Sequence, residues 1–189
     1  MWIDCEMTGL DLVTDALIEV AVLVTDSELT VLGEGVDVVI RPPQEAVEQM
    51  LDVVRQMHTT SGLLEVLETG ITLEAAQDAV MQYVRTYVPE PRKAPLAGNS
   101  VSTDQSFLAR DMAELDAHLH YRLIDVSSIK ELARRWYPRV YFASPEKNGG
   151  HRALADIRDS INELKYYREA LFVPQPGPDS ETARAVAAK

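Results

Sequence analysis

The run Leu17–Thr25, LIEVAVLVT, narrows the possible folds more than any other feature of the chain. Its β-branched and aliphatic residues read as a strong strand. Residues 2–7 read as a short strand before it, closed by a turn at Gly9. Residues 31–40 read as a third strand, with Gly33 and Gly35 marking a bend or bulge. These three strands form a meander, after which strands and helices alternate. The segment 43–87 is helical in pieces, and residues 73–88 carry apolar side chains at 73, 76, 80, 83, 84 and 87, a helical period. A break at 89–95 precedes a short strand around Leu96 and Ala97 that ends at Gly98 and Asn99. The pattern then predicts a helix over 103–118, a strand over 121–126, and a helix through Trp136 opened by a Ser128/Glu131 capping box. A loop over 138–150 leads to a last helix within 151–171. The expected fold class is α/β, a mixed central sheet flanked by helices. Ligands of such sheets gather near strand ends.

With 189 residues, the chain is expected to form one domain over 1–172, followed by a flexible C-terminal tail over 173–189 rich in Pro and small polar residues. Hydrophobic residues at 46% and charged residues at 25% are ordinary globular usage and exclude a wholly disordered chain, a collagen-like repeat or a coiled coil. No apolar run approaches the roughly 20 residues of a membrane span. The opening Met1-Trp2-Ile3-Asp4 lacks the basic and apolar stretches of a secretory signal. The single Cys5 forms no internal disulfide, so a cytoplasmic location is expected. Eighteen Lys and Arg against 30 Asp and Glu give a formal charge of −12. That balance repels long polyanions and argues against extended nucleic-acid binding. It leaves room for a short nucleotide held by a few local cations, or for divalent metals held by carboxylates.

Asp4 and Glu6 are two apart on the first strand, so both carboxylates project from one face while Cys5 packs on the other as a small hydrophobe. Two like charges on one sheet face repel, and a divalent cation would offset that repulsion. A solvent-facing edge strand would give the same pattern. In the helix from Thr103, Asp104, Leu108, Met112 and Leu115 share a row, which turns Asp104 toward the sheet. A helix N-cap is the alternative role for Asp104. Five residues on a helix place His151 and Asp156 about 140° apart, too far to face one target if both were well inside it. His151 is therefore assigned to the preceding loop or first turn, with Gly149-Gly150 letting that loop move, and Asp156 to the helix. A mobile imidazole beside a metal-binding carboxylate suits a general base for an attacking water. The set Asp4, Glu6, Asp104 and Asp156 selects Mg²⁺ or Mn²⁺ over zinc. Four carboxylates can hold two ions about 3.5–4 Å apart for in-line attack on a phosphodiester.

Asp4-Cys5-Glu6, Asp104, and His151 with Asp156 five later resemble the DEDD superfamily of 3′→5′ exonucleases, in its His-containing DEDDh branch. Longer blocks narrow the resemblance to the oligoribonuclease family: WIDCEMTGLD (2–11), MHTTSGL (57–63), GNSVSTDQSFL (98–108), HYRLIDVSSIKELARRWYP (120–138) and HRALADIRDSINELKYYRE (151–169). The resemblance implies an RNase H-like exonuclease fold, a homodimer, and a 3′→5′ exoribonuclease. Its expected substrates are RNAs of two to about five nucleotides, dinucleotides preferred, with linear dinucleotides from cyclic-dinucleotide signalling among them. It implies Asp4, Glu6, Asp104 and Asp156 as ligands of two Mg²⁺ or Mn²⁺ ions and His151 as the base. Leu10 would wedge between the two bases. Ser100, Arg122, Ser127 and Ser128 would cap the 5′ phosphate, with Lys130 adding charge. His58 would contact substrate, and Tyr121 would serve the partner subunit's site. Each also has a plain structural role: Leu10 in the core, Tyr121 packing in the interface, Ser127 and Ser128 as helix caps. Where the family often has Trp five residues before the MHTTSGL histidine, this chain has Val53, so base stacking there is lost or supplied otherwise. A broader exonuclease acting on longer RNA or DNA, and a non-catalytic nucleotide-binding protein, are the competing functions.

Overall fold

The computed structural model describes residues 1–147 and 150–188; Gly149 of the Gly149-Gly150 pair lies outside the described residues. Among them, a five-stranded sheet has the order β3-β2-β1-β4-β5. The strands are β1 Trp2–Met7, β2 Leu17–Thr25, β3 Val31–Val39, β4 Pro95–Gly98 and β5 His120–Asp125. β1, β2 and β3 pair antiparallel, and β4 joins β1 and β5 in parallel. The expected meander, mixed sheet and α/β class are therefore observed.

β2 is central and covered on both faces, so every residue from Leu17 to Val24 is buried. Ile3 and Cys5 of β1 and Val20, Val22 and Val24 of β2 pack on one side with α4 (Leu73–Tyr87), α5 (Ser102–Asp111) and α6 (Ala113–His118). Trp2, Ala21 and Leu23 pack on the other side with α7 (Val126–Trp136) and α9 (Ala153–Leu171). Three short helices, α1 (Gln44–Glu48), α2 (Asp52–Thr60) and α3 (Leu63–Val66), fill the connection from β3 to α4. Among the described residues no helix is long and apolar enough to cross a membrane.

One expectation is met in detail and four change. The bulge expected at Gly33 and Gly35 is present: Val22 pairs with Val36 and Val24 with Leu32, so residues 33–35 of β3 lie opposite Leu23 alone. There the Tyr83 hydroxyl accepts from the Val24 N–H at 3.2 Å and donates to the Leu32 carbonyl at 3.0 Å, bridging the interrupted ladder. The helix expected over 103–118 divides at the buried Met112, and the Glu114 N–H in the first turn of α6 donates to Gln77 of α4. Ser128 and Glu131 form no capping box. The last strand residue, Asp125, is the N-cap of α7 and accepts from the Ser127 N–H at 2.9 Å, while Glu131 pairs with Arg134 and Arg135. The loop expected over 138–150 begins with α8 (Pro138–Phe142), where Pro occupies the first turn. Within 173–189, Asp179 caps a helix α10 (Ser180–Ala187), none of whose residues is buried.

Candidate active site

β1 starts the site. Its alternation puts Cys5 into the core, while Asp4 and Glu6 face α9. α5 brings Asp104 from the opposite direction, and the Cys5 N–H donates to its Oδ1 at 2.9 Å. Asp104 is thus fixed to the strand between Asp4 and Glu6, and it does not cap α5, whose N-cap is Val101. α9 supplies Asp156 from its first turn. His151 lies two residues before α9, exposed, with φ +61°. The assignment of His151 to the loop and Asp156 to the helix therefore agrees with the structure.

All five line one cavity of about 410 Å³ together with Leu10, Asn99, Ser100, Thr103, Lys147 and Ser160. A carboxylate oxygen of Glu6, one of Asp156 and a ring nitrogen of His151 lie within 4.8 Å of one another. Burial, with repulsion from Asp104 and Glu6, pushes Asp4 up to about 9. Burial, with repulsion from Asp156 and Glu19, pushes Glu6 up to about 8. Burial raises Asp104 to about 6, against the N–H groups that hold it down. Burial raises Asp156 as well. Hard oxygen donors that cannot all be ionised together are a donor set suited to divalent cations.

Leu10 is 74% exposed at the mouth of the cavity, so it is no core residue. Ser100 has φ +56°; its N–H donates to Asp125 at 3.0 Å, and its hydroxyl lies 3.2 Å from that of Ser127. Ser127 donates to Asn99, and Ser128 turns back toward Asp125. Arg122 and Tyr121 lie on the exposed strand β5, outside this chain's own cavity, with the Arg122 guanidinium over the Tyr121 ring. His58 is fully buried on α2, with Nε2 2.9 Å from the Met7 carbonyl oxygen and Nδ1 3.9 Å from Glu6. The α2 helix holds this ring against the end of β1. Val53 is exposed on the same helix.

Sequence reasoning missed three groups. Glu19 is buried in β2 opposite Glu6 and binds Arg152 and the Ala153 N–H. Its signal was a lone carboxylate in an otherwise apolar strand. Glu163 of α9 is buried and holds both Lys130 and Lys147, at 3.1 and 2.8 Å, together with Asn99. Lys130 thus sits beside the expected phosphate cap, and Lys147 is a cation within an acidic cavity. The resemblance already implies Lys130, whereas no local pattern marks Lys147.

Residues 1–164 match the RNase_T exonuclease family. The chain is 72% identical over 189 residues to the oligoribonuclease of Streptomyces coelicolor, covering all of this chain and 94% of the relative. It is 62% identical to that of Cutibacterium acnes with the same coverage. Among solved structures, exonuclease I from Methylocaldum szegediense superposes with a TM-score of 0.66 at 20% identity, over 90% of this chain and 40% of that one. E. coli exonuclease I in complex with a dA13 oligonucleotide gives 0.60 at 18% identity, over 89% and 40%. The chain thus spans about two fifths of the exonuclease I structures, which share its fold.

Proposed function

The chain belongs to the oligoribonuclease family of exonucleases and is a nuclease hydrolase, and from that premise we propose that it degrades RNAs of two to about five nucleotides from the 3′ end, dinucleotides best. The observation that carries this reading is the convergence of Asp4, Glu6, Asp104, His151 and Asp156, from three separate stretches of sequence, on one cavity.

Asp4, Glu6, Asp104 and Asp156 would hold two Mg²⁺ or Mn²⁺ ions. When bound, such ions stabilise charge on the scissile phosphate and the leaving oxygen. His151 takes the proton from the attacking water; its place in a loop beside Asp156 supports that role. Leu10, exposed at the cavity mouth, inserts between the two bases. The hydroxyls of Ser100 and Ser127 hold the 5′ phosphate, with Ser128 behind them, because charge-assisted bonds of this kind are strong. Arg122 and Tyr121 lie on the open edge of the sheet, which supports a homodimer in which Tyr121 serves the partner's site. His58 has no exposed atom and acts on substrate through Glu6 and the β1 backbone. The unit 1–172 carries the reaction, 173–189 is an appended tail, and the setting is cytoplasmic. A cap closed around a terminal phosphate tolerates the acidic exterior, since only a short strand must enter.

A length series of 5′-phosphorylated RNAs from about 2 to about 10 nucleotides, with Mn²⁺ and with chelator, tests this. Turnover is expected to be fastest for the dinucleotide and absent in chelator. Equal rates at every length would remove the cap and favour a broader exonuclease. Binding without hydrolysis in Mn²⁺ would favour a non-catalytic role.

A further inference from the structure

Glu19 is a fully buried carboxylate on the face of the sheet that carries Asp4 and Glu6, and no step above uses it. Both of its oxygens are taken. Oε1 accepts from Arg152 Nε at 2.9 Å and Nη2 at 2.7 Å, and Oε2 accepts from the Ala153 N–H at 3.0 Å. Burial and the nearby Glu19 charge push Asp37 of β3 up to about 6. A carboxylate so occupied is aimed at α9 and is a poor candidate for a metal ligand.

The two residues that Glu19 grips directly follow His151. His151 has φ +61°, the left-handed region that an L side chain rarely adopts, and Gly150 before it has φ +66°. Such a backbone persists only where its surroundings over-determine it. On the C-terminal side, Glu19 does this from a central strand 133 residues away in sequence. The same grip supplies an acceptor to an N–H in the first turn of α9, the turn that carries Asp156.

We propose that Glu19 is a positioning residue for hydrolysis, acting through Arg152 and the Ala153 N–H to hold the His151 backbone in its strained, productive form. The proposal rests on the reading of His151 as the base. Gln at this position keeps the shape but has one acceptor oxygen, so its amide N–H₂ must oppose either the guanidinium or the Ala153 N–H.

The test is a double-mutant cycle of Glu19→Gln and His151→Ala in the full chain, read as kcat and KM on a 5′-phosphorylated diribonucleotide with Mn²⁺. Hydrogen exchange at residues 150–156 is measured beside it. Glu19→Gln is expected to lower kcat by about 10²-fold, to leave KM within about 3-fold, and to speed exchange at Ala153. In the His151→Ala background the same change should cost less than about 3-fold, because residues that act as a unit are not additive. Wild-type kcat in Glu19→Gln, or an undiminished loss without His151, would overturn the proposal. Wild-type turnover by His151→Ala alone would instead overturn the base reading, and this inference with it. If Glu19→Gln does not fold, Arg152→Gln at its partly exposed site carries the same expectations.

Discussion

Cys5 sits between two carboxylates and turns its side chain to the opposite face of the strand. Its side chain packs in the core, yet its N–H holds Asp104, so one residue joins the packed face to the chemical one. The cost of that face is electrostatic. In the folded, metal-free chain Asp4 and Glu6 keep protons up to about 9 and about 8, whereas an unfolded chain gives them up near pH 4. Between these limits the native state binds more protons, so stability is fully present below about pH 4 and is lost as pH rises through the folded values. Thermal melts in chelator are therefore expected to fall from about pH 5 to about pH 8.5. Saturating Mn²⁺ should raise the melting temperature most at the upper end, because it binds the ionised form. A melting temperature that is flat or rises with pH in chelator would contradict the burial of these groups. His151→Ala is expected to cost roughly 10²–10⁴-fold in kcat, the usual contribution of a general base; single-turnover kinetics check it. These five residues were legible because strand alternation, a helical row and a loop-to-helix offset each fix a direction. Glu19 and Glu163 were not, since their partners Arg152, Lys130 and Lys147 come from distant elements.

At the scale of elements, the strand–helix junction at Asp125 does the most with one side chain. Oδ1 accepts from the Ser127 N–H and from the Ser100 N–H, so a helix cap and the proposed phosphate-binding loop share an anchor. Asp125→Ala is expected to cost about 1 kcal/mol, the typical loss for an N-cap, and to raise KM for a 5′-phosphorylated dinucleotide more than for the unphosphorylated one. Denaturant melts and steady-state kinetics measure the two effects; an unchanged KM ratio would detach the cap from substrate. The sequence pattern located this helix and missed its cap, because β5 runs into α7 without a loop and the strand's own last residue does the capping. The break at Met112 was hidden for a related reason. A continuous apolar row crosses it, and Glu114 in the first turn of α6 bonds to Gln77 on another helix.

At the scale of the whole molecule, the unpaired edge is the unfinished part. β5 leaves Tyr121, Leu123 and Ile124 exposed, and Trp136 and Phe142 add apolar surface at 67% and 82% exposure. Open strand edges with apolar surface favour pairing with another chain. Light scattering is expected to give twice the 21.0 kDa chain mass, and Trp136→Glu to yield monomer with at least about 10-fold lower turnover. A fully active monomer would end the trans role of Tyr121. The sequence by itself determined the meander, the alternating layers, the shared face of Asp4 and Glu6 and the inward turn of Asp104, because periods of two and 3.6 residues report which way each side chain points. Only the tertiary structure decided that Glu19 grips Arg152, that Glu163 gathers two lysines, that His58 is buried behind Glu6 and that Asp125 caps α7. Those pairings join residues far apart along the chain or across element junctions, and a local period carries a direction but not the identity of what lies there.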